Sequence, residues 1–157
     1  MKKLENYEQV KDKALRLLTF RAHSEKELCG KLRTAGAESG DIEKVLDFCR
    51  RYNFVNDLQF AKGKARDLKN LKKYGRRRIE AELYSKGISA EYVAEALSEL
   101  DFDDAEENLL PLVRKKLGGD FEKKSVDRCI RYFLYRGYEL REVKECINTL
   151  QGEADEL

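Results

Sequence analysis

The chain has 157 residues, of which 41% are hydrophobic and 39% charged, with one proline and ten glycines. Such a charge load, with Leu, Val, Ile and Phe recurring at helical intervals, fits amphipathic helices with wide solvated faces. It leaves too little turn chemistry for a β-sandwich or barrel. Because 32 basic residues nearly balance 30 acidic ones, the net charge of +2 says nothing of a polyanionic partner, and the distribution of charge must decide.

In chain order, nine helices are predicted. The first, over 6–20, carries Val10, Ala14, Leu17 and Leu18 on one face. Helices over 24–35 and 40–52 follow, separated by Gly36, with Leu28 and Leu32 before the glycine and Ile42, Leu46 and Cys49 after it. The helix over 56–72 repeats the first with Phe60, Ala61, Ala65 and Leu68. The pair over 75–86 and 89–100 repeats the second and third, with Ile79 and Leu83 before Gly87 and Val93, Leu97 and Leu100 after it. The last three, over 103–117, 122–136 and 139–151, carry Leu109, Leu112, Val113 and Leu117, then Cys129 and Phe133 before Gly137, then Val143, Ile147 and Leu150.

Five apolar offsets shared around three glycines define an internal repeat, and a repeat sets the whole architecture. Glycine suits the position because a helix C′ residue takes positive φ, which costs glycine nothing. Ser24 with Glu27 forms a capping box, Ser89 precedes the sixth helix, and Asn56 or Asp57 can cap the fourth. Pro111 is the misfit, since inside a helix it removes a hydrogen bond, so the seventh helix is expected to kink there or begin late.

The fold expected is therefore all-α: three tandem three-helix repeats in an elongated, curved array. The repeats cover 1–53, 54–101 and 102–151, with 152–157 as a C-terminal tail. A unit of ~50 residues buries too little surface to be comfortable alone, so neighbours should pack together.

Positive charge gathers in the middle repeat. Between residues 62 and 86 ten basic residues face three acids, whereas the third repeat carries a net excess of acid. The segment KNLKKYGRRRIEAEL places basic residues around a helix junction with Tyr74 among them. A helix start also offers unpaired N–H groups to phosphate, and a flanking aromatic can stack on a base. The candidate contacts are Lys64, Arg66, Lys72, Lys73, Tyr74, Arg76, Arg77 and Arg78. The same stretch also reads as a solvated helix junction. A helix-turn-helix reading around Gly87 fails on charge: the second helix carries Glu91, Glu95 and Glu99, which would repel a duplex, so that spacing reads as packing.

No catalytic, cofactor-binding or metal-ligating set is expected. His23, the only histidine, reads as an exposed turn residue beside the cap, and no phosphate-binding loop or dinucleotide fingerprint occurs. The cysteines lie at or beside repeat core positions without a Cys-x-x-Cys pair, which points to reduced packing thiols in a cytoplasm. The amino terminus lacks the apolar stretch of a cleavable signal, and no run of about 18 apolar residues occurs, so neither export nor a membrane span is expected.

Three stretches, taken together, resemble the RecX family of RecA regulators. These are ALRLLTFRAHSEKELCGKL (Arg21, Ser24, Glu27, Leu28, Leu32), FVNDLQFA (Asn56, Asp57, Phe60, Ala61) and YGRRRIEAELYSKGIS (Gly75, Ile79, Glu82, Leu83, Gly87, Ile88). The resemblance covers residues 14–100 and extends more loosely to about 150. It implies a monomeric, non-enzymatic protein lying in the groove of the RecA filament on single-stranded DNA, with direct contact to that strand in prospect. There it would modulate, mainly inhibit, the recombinase, ATPase and co-protease activities. A stand-alone nucleic-acid-binding protein acting through the basic stretch is the alternative, and a helical adaptor for an unrelated protein is a third reading.

Overall fold

The computed structural model describes residues 4–157, and these contain nine α-helices and no strand. They are α1 Tyr7–Phe20, α2 Glu25–Thr34, α3 Ser39–Arg51, α4 Asp57–Asn70, α5 Arg76–Ser85, α6 Ala90–Ser98, α7 Ala105–Leu117, α8 Lys123–Tyr135 and α9 Leu140–Asp155. Every boundary falls within two residues of the expected one except the end of α9, which runs into the segment read as a tail. The side chain of Gln151 bonds Asp155 across this added turn. Helix α7 neither starts at Pro111 nor stops there. The proline sits inside the helix on its exposed face, where water can take the carbonyl it leaves unbonded.

The three repeat glycines end their helices in one way. Gly36, Gly87 and Gly137 have φ of 95°, 79° and 100°. At each, the glycine N–H donates to the carbonyl three residues back, and the next residue's N–H donates to the carbonyl five back. This is the Schellman arrangement, which a contact between the residue after the glycine and the residue four before it commonly accompanies. In the third copy that contact is aromatic, with Phe133 and Tyr138 edge to face at 6.0 Å. Of the side chains at the five shared offsets, all are buried except Leu100, which is half-buried.

Two compact units make up the chain: Met1–Lys64 with Leu83–Ala96, and Ala65–Glu82 with Leu97–Leu157. Helices α4, α5 and α6 each supply residues to both. In the first unit, α1, α2 and α3 close on Val10, Ala14, Leu28, Leu32, Val45 and Cys49. In the second, α7, α8 and α9 close on Leu109, Val113, Cys129, Phe133, Val143 and Leu150. Three of the four cysteines are buried, and all four are free thiols. Among the described residues no helix is long and apolar enough to cross a membrane.

The caps sort themselves by geometry. Ser24 and Glu27 close a reciprocal capping box on α2, and Ser89 accepts from the Tyr92 N–H at 3.3 Å. Of the two candidates for α4, Asn56 is the cap, accepting from the Gln59 N–H. Asp57 instead accepts from the Glu25 N–H at 2.9 Å and so secures the start of α2.

A candidate nucleic-acid and partner interface

Each unit contains one helix-end junction of the same kind, in which the C-terminal end of a middle helix meets the N-terminal end of another. Aligned on their glycines, Ser24 corresponds to Gly75 and Lys86 to Arg136. In the first unit the Ser24 hydroxyl donates to the Lys86 carbonyl at 2.7 Å. In the second the Gly75 N–H donates to the Arg136 carbonyl at 2.8 Å, and the Arg77 N–H to the Gly137 carbonyl at 3.1 Å. Carbonyls at one helix's negative end thus satisfy donors at another's positive end.

This arrangement narrows the phosphate reading of the α5 start. The N–H groups of Gly75 and Arg77, expected to be offered to a ligand, are spent on backbone carbonyls. These two donors are therefore closed to a ligand.

His23 is also corrected. It is 2% exposed, with Nδ1 2.9 Å from the Arg21 carbonyl and Nε2 2.8 Å from the Lys31 ammonium. The ammonium can only donate, so Nε2 accepts and Nδ1 carries the proton. Burial, with the Arg21 and Lys31 charges, holds the imidazole pKa below its ordinary 6.5, against the opposing bond to Arg21. Beside it, Glu27 accepts from Arg21 at 2.9 Å and Lys86 at 3.0 Å. Burial alone would raise its pKa, but these bonds and the Ser24 N–H bring it down to about 2. Arg21, His23, Ser24 and Glu27 therefore lock the first junction.

In the second unit the loop between α4 and α5 is held from α8. The Arg136 guanidinium donates to the Lys72 carbonyl, and the Tyr138 hydroxyl to the Lys73 carbonyl at 2.6 Å. Burial raises the Tyr138 phenol to about 12, so it stays a donor. Lys73 itself has φ of 59°, a left-handed conformation that a lysine rarely takes.

The result is a cationic groove of about 480 Å³, lined by Leu71, Lys72, Lys73, Leu112, Lys115, Lys116, Tyr132, Phe133 and Arg136. Five of these are cations and none is an acid. Rings and cations alternate beside it. Lys116 lies 4.1 Å and Arg136 5.5 Å from the Tyr132 centroid, Arg136 and Arg78 lie 4.9 and 4.8 Å from Tyr74, and Arg78 lies 4.8 Å from Tyr135. Such pairs are worth about 0.5–1 kcal/mol each at exposed sites and hold the guanidinium planes in place. Tyr135 remains 74% exposed.

Of the sequence-selected residues, Lys72 and Lys73 line this groove, and Tyr74 and Arg78 are half-buried in the ring ladder. Arg78 also donates to Glu82 and to the Tyr135 carbonyl, a structural task. Arg76 and Arg77 are exposed, Arg76 lying 5.4 Å from the Phe102 ring. Arg66 is exposed on α4, and half-buried Lys64 belongs to the first unit. Sequence reasoning passed over Lys115, Lys116, Tyr132 and Arg136, because the third repeat is acidic in sum. The repeat alignment was the available signal, since Arg136 occupies the place of Lys86.

Fold and face together define a class: an all-α tandem three-helix repeat protein with a cationic, tyrosine-studded groove on its second unit. Two family models match, RecX first three-helix domain over 11–49 and RecX second three-helix domain over 56–97. A protein named Regulatory protein RecX from Clostridioides difficile (strain 630) is 36% identical over 93% of this chain and 70% of its own. Another of that name, from Vibrio vulnificus (strain CMCP6), is 33% identical over 88% of this chain and 90% of its own. The crystal structure of RecX from Lactobacillus salivarius superposes with a TM-score of 0.75 at 20% identity, covering 92% of this chain and 96% of that one. The chain belongs to the RecX family of regulatory proteins.

Proposed function

We propose that the protein regulates RecA, mainly as an inhibitor, by binding in the groove of the RecA filament on single-stranded DNA. In that position it modulates recombinase, ATPase and co-protease activities. It acts as a monomer of three three-helix repeats bounded near 53 and 101, and the second-unit groove faces the nucleoprotein. The observation that carries this reading, beyond family membership, is five cations without a carboxylate around one groove, with tyrosine rings beside them. Phosphate attraction supplies most of the affinity for a polyanion, and exposed rings accept bases without regard to sequence.

The test is RecA-dependent ATP hydrolysis and strand exchange with the wild type and with Lys72→Glu/Lys116→Glu. The wild type is expected to inhibit both at near-stoichiometric amounts, and the double variant to need at least ~10-fold more protein. No effect of saturating wild type on either activity would end the proposal. Arg76→Ala/Arg77→Ala is the fair test of the exposed arginines. Including Arg78 would confuse contact with folding, since its guanidinium holds the Tyr135 carbonyl.

The alternative, direct nucleic-acid binding without RecA, draws on the same ring ladder. It requires oligonucleotide affinity that falls steeply with salt in the absence of RecA.

A further inference from the structure

The first unit carries a groove of its own, which shares no lining residue with that of the second unit. It has a volume of about 780 Å³ and runs along α1 and α2 past the end of α5. Its floor is apolar: Leu4, Leu17, Ala35 and the bare backbone at Gly30. Five cations surround it, Lys13, Arg16, Lys26, Lys31 and Lys86, against one acid, Glu27. That acid is already engaged by Arg21 and Lys86, and Lys31 donates to His23, so Lys13, Arg16 and Lys26 are the groove cations left to face an occupant.

Gly30 is the telling residue. It lies in the middle of α2, where glycine costs about 1 kcal/mol relative to alanine. Neither of the usual reasons for such a glycine applies: a Cβ built there meets nothing within 4 Å, and the backbone is ordinary helix. The corresponding residues of the other repeats are Ala81 and Arg131. What the missing side chain provides is depth, a place where an occupant's apolar side chain can rest on the helix backbone. A phosphodiester chain would use the cations but gain nothing from an apolar floor. A purely apolar segment would leave Lys13, Arg16 and Lys26 unanswered. Only a segment that is both acidic and apolar answers both features.

We propose that this groove docks an acidic peptide segment of a partner protein, with one or two large apolar side chains on the floor between Leu17 and Gly30 and its carboxylates against Lys13, Arg16 and Lys26. The proposal goes beyond the RecA reading and does not depend on it, because its test contains neither RecA nor DNA.

The probe is a fluorescein-labelled peptide of about twelve residues, all Asp and Glu except two leucines spaced four apart. Binding to the intact protein is followed by fluorescence anisotropy. Binding is expected to weaken at least ~10-fold when the leucines become serine, since burying one leucine is worth about 1.5–3 kcal/mol, and likewise when the acids become glutamine. Lys13→Glu/Arg16→Glu should weaken it by a similar factor. Gly30→Leu should abolish it by filling the floor, while circular dichroism melting shows a fold at least as stable, because leucine is the better helix former. No binding, binding indifferent to the leucines, binding unaffected by Gly30→Leu, or displacement by an equal concentration of oligothymidylate would each overturn the proposal.

Discussion

At the scale of single residues, backbone strain falls at Lys73, one of the proposed contacts. A left-handed conformation costs a side-chain-bearing residue roughly 1–2 kcal/mol, and Lys73 has φ of 59° in a loop that Arg136 holds at the Lys72 carbonyl and Tyr138 at its own. Lys73→Gly should therefore raise thermal stability, by up to ~1 kcal/mol, while weakening affinity for single-stranded DNA. A variant that gained stability without losing affinity would show that the lysine is not held there for its charge, and one that lost stability would show that its left-handed backbone carries no such strain. Glu27 makes the opposite kind of claim, one about pH. Its folded pKa of about 2 lies below the ordinary 4.5, so the unfolded state binds protons first as pH falls. The stability it contributes is fully present above pH 4.5 and disappears as pH falls towards 2, with ~3 kcal/mol in play. His23, also depressed, adds a loss that begins as pH falls below 6.5. Denaturation followed across pH 2 to 7 should show Glu27→Gln less stable than wild type at neutral pH and nearly equal at the acid end.

At the scale of helices, the junction between helix ends is the device that the chain uses twice, and it explains why Gly75 is a glycine. Its φ is not left-handed, yet a Cβ there would fall at 2.5–2.6 Å from the Gly137 carbonyl and the Tyr138 nitrogen, all backbone. Gly75→Ala must push two helix ends apart and break the bond to the Arg136 carbonyl. A destabilisation of ~2 kcal/mol or more is expected, read as a fall in melting temperature. Gly152→Ala, in α9 with open space around it, should instead stabilise by about 0.5–1 kcal/mol. These contrasts also explain what could be read from the sequence. The nine helices and their glycine stops were legible because helical period and capping act over three to five residues. The junctions were not, because they join residues about sixty apart, Ser24 with Lys86 and Gly75 with Arg136. For the same reason His23 looked like a surface turn: the ammonium that covers its ring edge comes from Lys31, two turns further along α2.

At the scale of the whole molecule, a net charge of +2 over 157 residues is too small to draw the protein to a polyanion from a distance, so affinity must come from local clustering. The second unit shows this most clearly. Residues 102–157 are acidic in sum, with 13 acids against 10 bases, yet Lys115, Lys116 and Arg136 from that stretch join Lys72 and Lys73 around one groove. If each groove cation displaces one counterion from single-stranded DNA, the logarithm of affinity should fall with the logarithm of salt at a slope of roughly −3.5, about 0.7 for each contact. Lys115→Gln/Lys116→Gln should then reduce the slope by about 1.4 in magnitude. Lys123→Gln/Lys124→Gln removes the same charge from exposed positions at the start of α8, outside the groove, and should leave the slope unchanged. Equal reductions from both pairs would mean that affinity follows overall charge, and the groove would lose its claim to the strand. The measurement separates these outcomes without RecA, because it compares two proteins of identical net charge that differ only in where the charge was removed.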